Sequence, residues 1–103
     1  MNAEQIVMEL VVNGGDARSK ALEAITCAGK GNFELAEEKM KSCEESLNKA
    51  HQYQTELIQA EINGEKTEIS LIMVHGQDHL MNAMTVRDLA MQMIEMYKKM
   101  QKC

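Results

Sequence analysis

The stretch from Thr67 to Lys102, TEISLIMVHGQDHLMNAMTVRDLAMQMIEMYKKMQK, decides the fold. It holds no proline and one glycine, Gly76, and strong helix formers dominate it. Two seams run along it at helical spacing. The first passes through Ile69, Met73, Gly76, Leu80, Ala83, Met84, Ala90, Met91 and Ile94. The second passes through Leu71, His75, Asp78, Asn82, Thr85, Leu89, Met93, Met96 and Met100. At roughly 100° per residue the two lie about 140–180° apart around one helix. A narrow strip with Ser70, Gln77, Asp88, Gln92, Glu95 and Lys99 is left for water. A helix with apolar residues on two sides is touched on two sides. A small helical monomer offers one such side, so the second seam predicts self-association along this helix.

Working outward, two breaks precede it. Gly29-Lys30-Gly31-Asn32 reads as a helix stop followed by an N-cap, and Asn63-Gly64 is a turn signal with no strand pattern on either side. The spacing predicts helices over 3–28, 33–60 and 67–102. The middle helix steps through Ala36, Met40, Cys43, Leu47, Ala50, Gln54 and Leu57, a heptad seam with one polar member. The first carries Ile6, Leu10, Gly14, Ala17, Ala21, Ala24 and Ala28. Gly14 and Gly15 each cost about 1 kcal/mol against Ala in a helix interior, and a close helix–helix approach is the reason to keep them.

Composition agrees. The 103 residues form one domain, 1–103, with no proline and three aromatics, Phe33, Tyr53 and Tyr97. Sheet cores need more aromatic and β-branched residues, so the chain is all-α. A net charge of −5 argues against a general binder of nucleic acid or anionic membrane. No apolar run is long enough to span a bilayer, and no signal-peptide pattern is visible. Cys27, Cys43 and Cys103 are an odd number at wide spacing, which suits reduced thiols in a cytoplasmic protein.

The second seam is polar in its middle, where His75, Asp78, Asn82 and Thr85 follow one another. A carboxylate on a self-association axis meets its own copies, which is costly. A bound cation resolves the conflict, and three carboxylates with water suit Mg²⁺. His75 and His79 share a helix face at i and i+4. Such a pair binds a transition metal in some proteins, packs at an interface in others, or supplies a nucleophile that carries a phosphoryl group on nitrogen. In the third case Gly76 would give the group space. His51 reads as a buried, hydrogen-bonded histidine. No phosphate-binding glycine loop of the nucleotide-binding kinds is present, so ATP is not an expected substrate.

Three segments carry a resemblance. Asn13-Gly14-Gly15-Asp16-Ala17-Arg18-Ser19, Leu47-Asn48-Lys49-Ala50-His51-Gln52-Tyr53-Gln54-Thr55 and His75-Gly76-Gln77-Asp78-His79-Leu80-Met81 resemble, in order, the helix signatures of one family. It is the IIA component of the lactose/cellobiose class, diacetylchitobiose included, of the bacterial sugar phosphotransferase system. Gly76 stands where many members have Ala, and Asp16 where an amide is expected. The resemblance implies an antiparallel three-helix bundle that assembles as a homotrimer. It implies that His75 accepts a phosphoryl group from the phosphocarrier HPr and passes it to a cysteine of the IIB component, with His79 and Gln77 supporting. It also implies that Asp78 from each subunit holds a divalent cation, Mg²⁺, on the three-fold axis. The cysteines are then bystanders. Two other readings stand beside this one: a metal-binding helical bundle using His75, Asp78 and His79, and a helical interaction module without catalysis.

Overall fold

The computed structural model describes residues 2–101. Three helices make up the fold: α1 (Ala3–Gly29), α2 (Phe33–Ile62) and α3 (Leu71–Gln101). They form a rod of 56 × 20 × 19 Å. Helix α2 runs antiparallel to both others. Ser46 donates to Asp16, and Lys39 pairs with Glu23, across α1 and α2. Gln54 meets Gln77, and Glu44 meets Arg87, across α2 and α3. Helices α1 and α3 therefore run parallel. The departure at Asp16 is accommodated, since its carboxylate accepts the Ser46 hydroxyl at 2.5 Å.

The helix ends follow from caps. Asn2 and Gln5 form a reciprocal capping box at the start of α1, and Asn32 accepts from the Leu35 amide at the start of α2. Both α1 and α2 close in the same way. Asn32 N–H reaches Cys27 O and Gly31 N–H reaches Ala28 O; Glu65 N–H reaches Ala60 O and Gly64 N–H reaches Glu61 O. Gly31 and Gly64 take the left-handed turn, at φ 82° and 90°. Thus α1 ends at Gly29, and Gly31 supplies the left-handed turn that closes it.

Helix α3 starts a turn later than its periodicity predicts. The Ser70 hydroxyl accepts the Met73 amide at 3.2 Å and so acts as N-cap. Residues 65–70 have no regular structure, and Ile69 is 83% exposed, outside the seam assigned to it. Ile69 is in phase with Met73 but precedes the cap, and phase alone does not reveal a cap. The last residues of the expected helix, with Cys103, lie outside the described residues.

The core is built largely of alanine. Ala17, Ala21, Ala24, Ala36, Ala50, Ala83 and Ala90 are fully buried, and Leu10, Leu80 and Cys43 are the largest side chains sealed among them. Small residues let the helices close on one another. Gly14 marks the closest approach: a Cβ there would stand 3.2 Å from the carbonyl carbon of His79 and 3.3 Å from the Leu80 nitrogen. Gly15 beside it meets nothing within 4 Å, so only the first of the pair is explained by packing. His51 is exposed, contrary to expectation, because it stands about 100° from the buried Ala50–Leu47 stripe.

Candidate functional site

The first turns of α3 carry the site. His75 is exposed and His79, one turn on, is half-buried. Their Nε2 atoms lie 3.1 Å apart, with ring centroids 4.5 Å apart and planes at 88°. One ring therefore donates an N–H to the lone pair of the other. The α1 backbone at Gly14 packs against the His79–Leu80 peptide.

Two grooves meet here. One, of about 560 Å³, is lined by Leu71, Ile72, Val74, His75 and Asp78. Three exposed aliphatic side chains thus surround the His75 imidazole. The other, of about 390 Å³, is lined by Arg18, Asp78, His79, Asn82, Thr85 and Val86. Asp78 belongs to both.

The remaining sequence candidates fall elsewhere. Gly76 faces α1, where an added Cβ would meet Val7 Cγ1 at 3.3 Å, so it gives a group on His75 no space. Gln77 points toward α2 and accepts from Gln54 Nε2 at 2.8 Å. The structure does not bring it to His75 of the same chain, because two residues along a helix is roughly 200° of rotation. It does explain the polar member of the α2 seam, since Gln54 is satisfied by Gln77. Among the described residues no three His, Cys, Asp or Glu side chains gather around a common point, so one chain by itself offers no metal cluster. Cys43 is sealed in the core, where burial first and Glu44 second push its thiol up to about 11. It carries no thiolate at neutral pH. Arg87 is held by Glu44 and Asp88, each at 2.6 Å, and the hydrogen bond to Glu44 above all raises its already high pKa. Arg18 was not singled out by the sequence reading, although the helix 1 signature contains it.

The second seam of α3 is bare along its whole length. Leu71 is 86% exposed, Met96 61% and Met100 64%. No helix of the described residues is long and apolar enough to cross a membrane.

The site is a close histidine pair near the start of an otherwise bare face of a helical bundle, and comparison with known proteins assigns the class. The family "PTS system, Lactose/Cellobiose specific IIA subunit" matches residues 5–98. The chain is 56% identical to the lichenan-specific phosphotransferase enzyme IIA component of Bacillus subtilis (strain 168), over 93% of this chain and 87% of that one. The crystal structure of the cellobiose-specific enzyme IIA from Bacillus anthracis superposes with a TM-score of 0.96 at 51% identity, covering 99% and 94% of the two chains. The solution structures of the IIA(chitobiose)–HPr complex of the Escherichia coli phosphotransferase system match at a TM-score of 0.84 and 39% identity, covering 98% of each chain. The chain belongs to the lactose/cellobiose-specific IIA subunits of the phosphotransferase system.

Proposed function

We propose that this protein relays a phosphoryl group in cytoplasmic sugar uptake. It takes the group from phospho-HPr on His75 and passes it to a cysteine of a IIB component, for phosphorylation of a β-disaccharide of the cellobiose, lactose or chitobiose type. The observation that carries this reading is the 3.1 Å contact between the Nε2 atoms of His75 and His79. It places a second imidazole where a group bonded to His75 Nε2 would sit.

The chemistry follows. A neutral His75 protonated on Nδ1 presents its Nε2 lone pair, and His79 Nε2–H holds it in that tautomer. The lone pair forms the N–P bond as the donor's bond to phosphorus breaks, its electron pair leaving with HPr. Afterwards His79 Nε2–H donates to a phosphoryl oxygen in place of the nitrogen. The transfer to IIB reverses this, with a cysteine sulfur as acceptor. Little covalent work is asked of the protein beyond alignment and charge stabilisation. Ile72 and Val74, which lie outside the second seam, offer apolar surface beside His75 that a docked partner would cover, excluding water from a labile N–P bond.

Two features of the assembly belong to the same proposal. Three copies associate through the bare seam of α3, which runs from Leu71 to Met100. The three Asp78 carboxylates then meet on the axis and hold a divalent cation, Mg²⁺, whose charge relieves their repulsion. Each chain contributes one exposed carboxylate on that face, an oxygen donor of the kind this ion accepts.

Incubation with phosphoenolpyruvate, enzyme I and HPr tests the relay. The wild type gains the mass of one phosphoryl group, labile in acid. His75→Gln gains none while keeping its helical content, and His79→Gln gains it more slowly. Phosphate uptake by His75→Gln would sink the assignment. Complete loss in His79→Gln alone would exchange the two roles.

A further inference from the structure

We propose that Arg18 clamps the phosphoryl group carried by His75, approaching it from α1 on the side where His79 stands. The proposal rests on the relay reading above and adds to it a residue from a different helix.

The chain has two arginines, Arg18 and Arg87. Arg87 is consumed by Glu44 and Asp88. Arg18 enters no ion pair among the described residues, although it lines one groove with the carboxylate-bearing Asp78. Its position follows from the helix register. Helices α1 and α3 run parallel, with Gly14 against the His79–Leu80 peptide. Arg18 is one turn further along α1. Side chains on a helix tilt toward its N-terminus, so the long arginine stem leads back toward the level of Asp78 and His79. Among the residues lining the two grooves that meet at Asp78, it is the one with a permanent positive charge.

Phosphoryl transfer brings about two negative charges to His75. Of the groups lining the two grooves, His79 offers one N–H to them. A planar guanidinium supplies paired donors matched to phosphate oxygens. It would bind the group on His75 without entering the covalent step, in which the bond to His75 Nε2 forms as the donor's bond breaks.

The test uses the full-length chain charged by phosphoenolpyruvate, enzyme I and HPr, with ³¹P NMR of the phosphorylated protein. Arg18→Gln is expected to raise the pH at which the phosphoryl oxygens titrate. It is also expected to slow phosphoryl uptake, mainly in kcat, by up to about a hundred- to a thousandfold, the range for loss of one preorganised donor. Arg18→Lys, which keeps the charge but not the fork, restores part of both. A phosphorus titration in Arg18→Gln that overlays the wild type, with uptake at the wild-type rate, overturns this proposal and leaves the relay standing. So does loss of uptake in both variants together with their helical content or association, which would make Arg18 a packing residue. Failure of the wild type itself to take up the group overturns the relay and this proposal together.

Discussion

Adjacent glycines in α1 should respond to the same substitution with opposite signs. At Gly15 an added methyl meets nothing within 4 Å. Gly15→Ala therefore collects the helix-interior preference for Ala, a stabilisation of about 0.5–1 kcal/mol. At Gly14 the same methyl stands 3.2–3.3 Å from three backbone atoms of His79 and Leu80. Backbone cannot swing aside as a side-chain tip would, so α1 and α3 must part by a few tenths of an ångström. Overpacking of this kind costs about 1–3 kcal/mol. Set against the same gain in propensity, Gly14→Ala is destabilised by up to about 2.5 kcal/mol, and lies about 1–3 kcal/mol below Gly15→Ala, or several degrees in Tm at about 4–8 °C per kcal/mol for a domain this size. Urea and thermal unfolding followed by circular dichroism, at one protein concentration, give the stabilities. If Gly14→Ala is as stable as Gly15→Ala, the helices do not touch through Gly14 and the reasoning fails.

Other outcomes follow from the same structure. On the proposed trimer with its axial cation, chelation weakens the association and added Mg²⁺ restores it, since unit charges about 4 Å apart repel by roughly 4 kcal/mol at an effective dielectric near 20. Asp78→Leu removes the charge and continues the apolar seam, so the mutant trimer ignores the chelator; sedimentation of both proteins with and without it decides. A wild-type trimer indifferent to chelator, with monomeric Asp78→Leu, refutes the axial site. The Cys43 thiol, raised to about 11 by burial, stays unmodified by iodoacetamide in the native protein at pH 8 and reacts on unfolding, as peptide mapping would record. Its sign in stability is also fixed: the folded state holds the proton above the unfolded pKa of 9.0, so this contribution is intact below pH 9 and is lost as pH rises toward 11.

Residue periodicity captured most of what burial governs. On α2, Ala36, Cys43, Leu47 and Ala50 are buried as their spacing requires, and every member of the α1 stripe is buried. What periodicity missed has particular causes. It carried Ile69 into α3 because phase continues across a cap that one hydroxyl, on Ser70, imposes. It placed Gly76 in the first seam, where the structure has it against Val7 and Leu10; the space expected there for a group on His75 came from the chemistry of the histidine and not from the spacing, and it is absent. It placed His75 and His79 on one face, and the structure brings their Nε2 atoms into contact. Arg18 was out of reach for a different reason. Its nearness to His79 depends on the relative register of α1 and α3, which no repeat within either helix encodes. Gln77 and Gln54 satisfy each other for the same reason, across a helix pair whose alignment only the fold supplies.

The parallel course of α1 and α3 governs how this domain could be tethered to a partner. Gln101 lies 26 residues beyond His75 along one helix, an axial separation of about 39 Å. A flexible tether attached there needs on the order of 50 residues for its average span to match that distance. Ala3 lies at the end of the rod that carries the site, because Val7 and Leu10 are already level with Gly76. From Ala3 the axial distance to His75 is only about 9 Å, and roughly ten flexible residues suffice. A partner domain joined ahead of α1 would thus be held near His75 at high effective concentration, while the same domain joined after α3 on a short tether could not reach it.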